Sequence, residues 1–273
     1  MGKHNYNDTR LLIIAKTYPE LSSKYGETVC TAAVTEDGAP IRIYPIQFRY
    51  LSGTQKFDRY QWIKAPIAKN LQDNRPESYR ISAEEIVRGE VIPSTKDEWG
   101  KRAELVFKNE TWQFPSVEAL IDAQQRYGNS LGVVVPQKIT KIFTKPRPEE
   151  DTLSFEEKFK RLKEQASIDR QQLDLFRTSL PAEMKELEFL QQRITVEWTC
   201  AGPDCMGHNM QILDWEICEL FRREGAEKAC DKVEEILDLD KYATKFFLGN
   251  FHMYPASFAI IGLWYPKRSN RLF

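Results

Sequence analysis

The chain has 273 residues, 41% hydrophobic and 29% charged, with 39 Lys and Arg against 40 Asp and Glu. That length and apolar content suit one large domain or two modest ones, and they exclude a globally disordered chain. A net charge of −1 excludes a strong global basic field, so any contact with nucleic acid or phosphate has to come from a local patch.

No apolar run reaches the roughly 18–20 residues of a membrane span. The opening MGKHNYNDTR lacks the apolar segment of a secretory signal. The chain therefore reads as a cytoplasmic protein with no membrane partner. Its five cysteines are read as thiols or metal ligands rather than disulfides.

Residues 10–17 (RLLIIAKT) are a short apolar run and predict a buried strand. Residues 27–35 (ETVCTAAVT) are β-branched and predict a second. Glu36-Asp37-Gly38 is a hairpin signal, and 40–46 (PIRIYPI) alternates as a third strand should. Three strands with short links predict an antiparallel meander, part of a small barrel. In 40–75, basic and aromatic side chains then interleave: Arg42, Tyr44, Arg49, Lys56, Arg59, Tyr60, Trp62 and Arg75. Such a set on a sheet edge can hold phosphates and stack bases.

A strand is expected over 84–92 and a helix around Trp99. Pro115 at a first helical position opens a helix that Gly128 closes. Residues 131–143 predict a strand pair interrupted by Pro136. From Thr144 the composition turns charged and helical. Residues 189–199 end in a strand, and 200–209 (CAGPDCMGHN) form a compact turn. A helix is expected over 210–224, capped by Asn209, with Met210, Leu213, Ile217, Leu220 and Phe221 on one face. A second helix follows over 226–237, then two strands in KFFLGNFHMYP and SFAIIGLWYP. The tail after Pro266 is basic.

Cys200, Cys205 and His208 place two thiols and an imidazole within nine residues, a candidate zinc site of structural type. Gly202 and Gly207 supply backbone freedom for a chelating loop. The fourth ligand is sought in His252, His4 or Cys30. Asp214 and Glu216, with Lys245 as an electrostatic partner, and the loop residues Lys24 and Glu27 are the catalytic candidates for a metal-assisted hydrolase or nuclease. On a helix Asp214 and Glu216 would point about 200° apart, so they would not share a metal. No phosphate-binding loop, dinucleotide fingerprint or hydrolase nucleophile motif is present.

The sequence thus predicts an α+β protein. A mainly antiparallel, barrel-like β domain spans 8–145, a charged helical connector 146–187, and a smaller α+β unit 188–268. The leading expectation is a nucleic-acid-binding accessory protein acting on DNA or RNA through the basic–aromatic surface. The alternatives are the hydrolase or nuclease, and a protein-interaction module using the connector helix.

Overall fold

The computed structural model describes residues 6–95, 98–171, 180–181, 183–203 and 205–268. It is an α+β protein. The N-terminal strands are β1 (Asn7–Lys16), β2 (Glu20–Ser22), β3 (Gly26–Thr35), β4 (Pro40–Ile46), β5 (Gln61–Lys69), β6 (Ser78–Ile81) and β7 (Val87–Val91). Pairing runs β1-β3-β4-β6-β5, and β5 returns to β1, which closes a five-stranded barrel. Only β4–β6 is parallel among these pairs. Strands β2 and β7 add to its rim. The expected meander of the first three long strands is present.

The rest of the chain begins with helix α1 (Glu98–Val106), strand β8 (Gln113–Phe114), helix α2 (Val117–Tyr127), strands β9 (Leu131–Val134) and β10 (Pro136–Pro146), and helix α3 (Glu149–Gln171). It continues with β11 (Gln192–Cys200), β12 (His208–Gln211), α4 (Trp215–Glu224), α5 (Ala226–Ile236), β13 (Lys245–Asn250) and β14 (Phe258–Trp264). These strands form a β14-β13-β9-β8 sheet and a β10-β11-β12 sheet. Gly128 sits at φ +78° and ends α2 as expected, since its left-handed backbone strains any side chain but glycine's.

Strand β1 explains why the two halves pack so closely. Leu11 and Ile13 face the barrel interior with Val29, Ile43 and Ile63. Leu12, Ile14 and Ala15 face outward against Val133, Phe247, Ile261 and Trp264 of the C-terminal sheet. A strand covered on both faces needs a continuous apolar run rather than alternation, as RLLIIAK provides. A Cβ at Gly262 would lie 2.7 Å from the Ala15 Cβ, so glycine there lets β14 approach β1.

The helix expected over 210–224 starts later. Residues 208–211 pair with β11 as β12, and Asp214 rather than Asn209 caps α4. Its carboxylate accepts from the N–H groups of Glu216 and Ile217. The apolar spacing of Met210 and Leu213 fits a helix, but strand pairing with β11 and a hydrogen bond from the Leu213 N–H to the Ile260 carbonyl decide otherwise.

One buried side chain ties the halves together. The Arg59 guanidinium donates to the Ile14 carbonyl of β1 at 3.0 Å and to the Leu263 carbonyl of β14. It also meets Asp214 at 3.4 Å and Glu216 at 3.2 Å. Breaking a buried ion pair by removing one partner costs about 3–5 kcal/mol. Asp214→Ala, which loses both the pair and the cap, is expected to lose that much in urea unfolding. Asp214→Asn keeps the capping oxygen and is expected to lose less. Equal stability of Asp214→Ala and the parent chain would contradict this role.

Candidate metal centre and basic cleft

The sequence brings Cys200, Cys205 and His208 close, and the fold supplies a fourth group from 82 residues upstream. Cys200 ends β11, and His208 opens β12 paired with Trp198 across the hairpin. The intervening turn lies on the N-terminus of α2, where a Cβ at Gly202 would sit 2.8 Å from the Ser116 Cβ. That close approach carries Glu118, in the first turn of α2, to the thiols.

The His208 Nε2 lies 3.2 Å from the Cys200 Sγ and 3.3 Å from the Cys205 Sγ. Glu118 carboxylate oxygens lie 3.6 Å from the Cys200 Sγ and 3.6 Å from the His208 Nε2. A tetrahedral ion with Zn–S near 2.3 Å and Zn–N near 2.0 Å separates its S and N ligands by about 3.6 Å. The four groups can therefore hold a metal. Burial lowers the pKa of His208, which favours the neutral imidazole that a metal needs. Burial also raises the Cys200 thiol, a cost that a metal's charge would offset.

The proposed fourth ligands fall elsewhere. Cys30 accepts from Arg42 in the barrel at 3.1 Å, and the His252 Nδ1 lies 3.8 Å from Asp73. His4 lies outside the described residues. Glu118 was invisible to motif spacing because only the loop's contact with α2 makes it a neighbour.

The basic and aromatic residues of 42–75 are divided among several environments. Arg42 is buried and spends its guanidinium on Ser130 and Cys30. Trp62 is buried beneath the Arg10 guanidinium. Arg49 pairs with buried Glu27 at 3.1 Å, and Arg75 pairs with Asp73 at 2.6 Å. Tyr44 is half-buried and Lys56 exposed. No continuous surface on the barrel joins all eight, because most of the cations answer carbonyls and carboxylates inside the fold.

Arg59 and Tyr60 instead reach a cleft of about 1010 Å³ between the barrel and the C-terminal half. Its basic side chains are Arg59, Arg102, Lys232, Lys267 and Arg268, against the acids Glu216 and Glu235. Arg102 lies over the Tyr60 ring at 3.9 Å and the Trp99 ring at 4.7 Å. Trp99 packs edge-on against Trp264 at 4.6 Å. Tyr60 is the one non-glycine residue at positive φ (58°) among the described residues, and its buried hydroxyl has no hydrogen-bond partner among them. Both features carry an energetic cost, and both concentrate at functional sites.

The catalytic candidates do not form one cluster. Because Asp214 is a cap and not a mid-helix residue, its carboxylate and that of Glu216 converge on Arg59 instead of diverging. Lys245 lies over the Phe107 ring, and burial lowers its pKa. Lys24 is exposed and bonds Gln72. Glu27 is fully buried, and burial raises its pKa to about 7 although Arg49 opposes the shift.

Residues 113–273 match the family described as "Domain of unknown function (DUF8757)", and the chain belongs to that family. Residues 7–108 match a second model, "Domain of unknown function (DUF8758)". No curated protein matches the chain. Among solved structures it is similar to a murine DNA-binding protein bound with double-stranded DNA. The identity is 12%, the coverage 98% of this chain and 99% of that one, and the TM-score 0.32, a likeness too slight to bear on fold or function. No helix among the described residues is long and apolar enough to cross a membrane.

Glu27 also makes stability depend on pH. Its carboxyl binds a proton more tightly folded than unfolded, so its contribution is full below about pH 4.5 and is lost as pH rises through about 7. Asp214, pushed up to about 6 by burial against the pull of Arg59, acts in the same direction. Glu27→Gln is expected to flatten the fall in unfolding free energy, read by urea, between about pH 5 and 8, by about 1–3 kcal/mol. An unchanged slope would remove Glu27 from the account.

Proposed function

We propose that the chain binds single-stranded nucleic acid in the cleft between the barrel and the C-terminal half. The observation that supports this is the cleft's make-up: a basic excess lined with the half-buried Trp99 and Tyr265 and the more deeply set Tyr60 and Tyr242. Cations track a phosphate backbone, and aromatic faces accept unstacked bases whatever their sequence. The barrel contributes Arg59 and Tyr60 and α1 contributes Trp99 and Arg102, so the β domain forms one wall. Lys267 and Arg268 also line the cleft and are exposed, so they can meet phosphates without unfolding anything.

Fluorescence anisotropy with labelled single-stranded DNA and RNA, read across a salt series, tests this. Lys267→Glu with Arg268→Glu is expected to weaken binding at least about tenfold and to reduce the salt slope by about 1.4. Trp99→Ala is expected to cost about 1–3 kcal/mol for each base stacked on it. No binding of either polymer at low salt would overturn the proposal.

We also assign a structural zinc ion to Glu118, Cys200, Cys205 and His208. The donor set supports it: two thiolates, an imidazole and a carboxylate, all four within 4.8 Å of one another. Four protein ligands leave no open position for a substrate, which favours a structural over a catalytic ion. The ion would pin the β11–β12 hairpin to α2. All five cysteines are unpaired, as a reducing compartment keeps them, and we assign the chain to the cytoplasm. Elemental analysis of purified protein is expected to give one zinc per chain. Cys205→Ser is expected to lose the zinc and lower the Tm by about 5 °C or more. Metal-free protein with the parent Tm would contradict the assignment.

A further inference from the structure

A second cavity, of about 340 Å³, lies among the segment 18–21, α3, α4 and the segment 188–194. Its volume falls in the range of small-molecule sites. Much of the lining is apolar, with Phe155, Phe189, Leu213 and Phe221 among it. Two guanidiniums, those of Arg147 and Arg193, also line it.

Arg193 has a counterion, Asp151 at 2.8 Å. No ion pair to Arg147 is formed among the described residues; its guanidinium lies over the Phe189 ring at 4.7 Å. The other acids at the cavity are Glu188, which faces Arg222 at 3.8 Å, and Glu20, which is exposed and acts on Arg147 only through its charge. The Nε atoms of both Arg147 and Arg193 are buried without an acceptor. Burial and then the neighbouring Arg193 lower the pKa of Arg147, and Glu20 and Asp151 oppose that shift only in part. Two guanidiniums, one of them without a counterion among the described residues, beside an aromatic and aliphatic wall suit an oxyanion carried on an apolar body.

We propose that this cavity binds a small organic anion, its carboxylate or phosphate held by Arg147 and Arg193 and its apolar body against Phe155, Phe189 and Leu213. The site is separate from the basic cleft, and its occupancy does not depend on nucleic-acid binding.

Isothermal titration of the full chain with octanoate, phenylacetate, adenosine monophosphate and inorganic phosphate tests the proposal. At least one of the three organic anions is expected to bind, and the arm that does so separates a carboxylate from a phosphate ligand. Arg147→Gln, which removes the charge and the terminal fork and keeps a polar side chain, is expected to weaken that binding about 10–100-fold. Arg147→Lys is expected to recover part of the loss, since charge returns without the fork. Circular dichroism checks that each variant is folded. Absence of binding by all three organic anions, or equal affinity in Arg147→Gln, would overturn the proposal.

Discussion

The Arg59 guanidinium is the constraint on which the arrangement of the two halves depends. Its donors are distributed over a β1 carbonyl, a β14 carbonyl and the carboxylates at the start of α4. A cation with a few percent of its side chain exposed persists only when its hydrogen bonds are satisfied, and here each half of the molecule supplies part of that satisfaction. Neither half alone provides it. The next residue bears the consequence: Tyr60 turns to positive φ while its N–H meets the Ile13 carbonyl and its own carbonyl accepts from Ile92. The strained turn therefore places the Tyr60 ring in the floor of the cleft.

This latch acts together with the two-faced strand β1. The barrel core on one side and the C-terminal sheet on the other use adjacent residues of the same short run. A ligand in the cleft would touch both halves at once, so its affinity would be coupled to their relative position. The hairpin that carries the candidate metal ligands poses a different problem. Its turn has little apolar content, and four ligands would supply the cohesion that packing does not.

Much of the fold was legible because its signals are local. Residues 27–35 are β-branched and 40–46 alternate around a turn, Gly128 closes α2 although Ser116 rather than Pro115 starts it, and Ala229, Val233 and Ile236 mark the inner face of α5. What stayed hidden depended on distant partners. Met210 and Leu213 keep helical spacing, yet β11 recruits 208–211 into a sheet. Glu118 lies far from the cysteines in sequence, and only a loop of small residues resting on α2 brings it to them. Alternation of basic and aromatic residues does not distinguish Arg42, whose donors are spent inside the fold, from a cation facing solvent. The cleft is not legible in the sequence because, Glu216 apart, its walls come from four segments far apart in the chain: 59–60, 94 with 99–102, 232–242 and 265–268.

Hydrogen exchange of the whole chain, with and without a single-stranded oligonucleotide, tests most directly whether the latch builds a nucleic-acid cleft. The account predicts new protection concentrated in those four segments, with the exposed barrel surface around Tyr44 and Lys56 unchanged. Protection confined to the barrel surface, or none in the four segments under conditions where the oligonucleotide is bound, would contradict it.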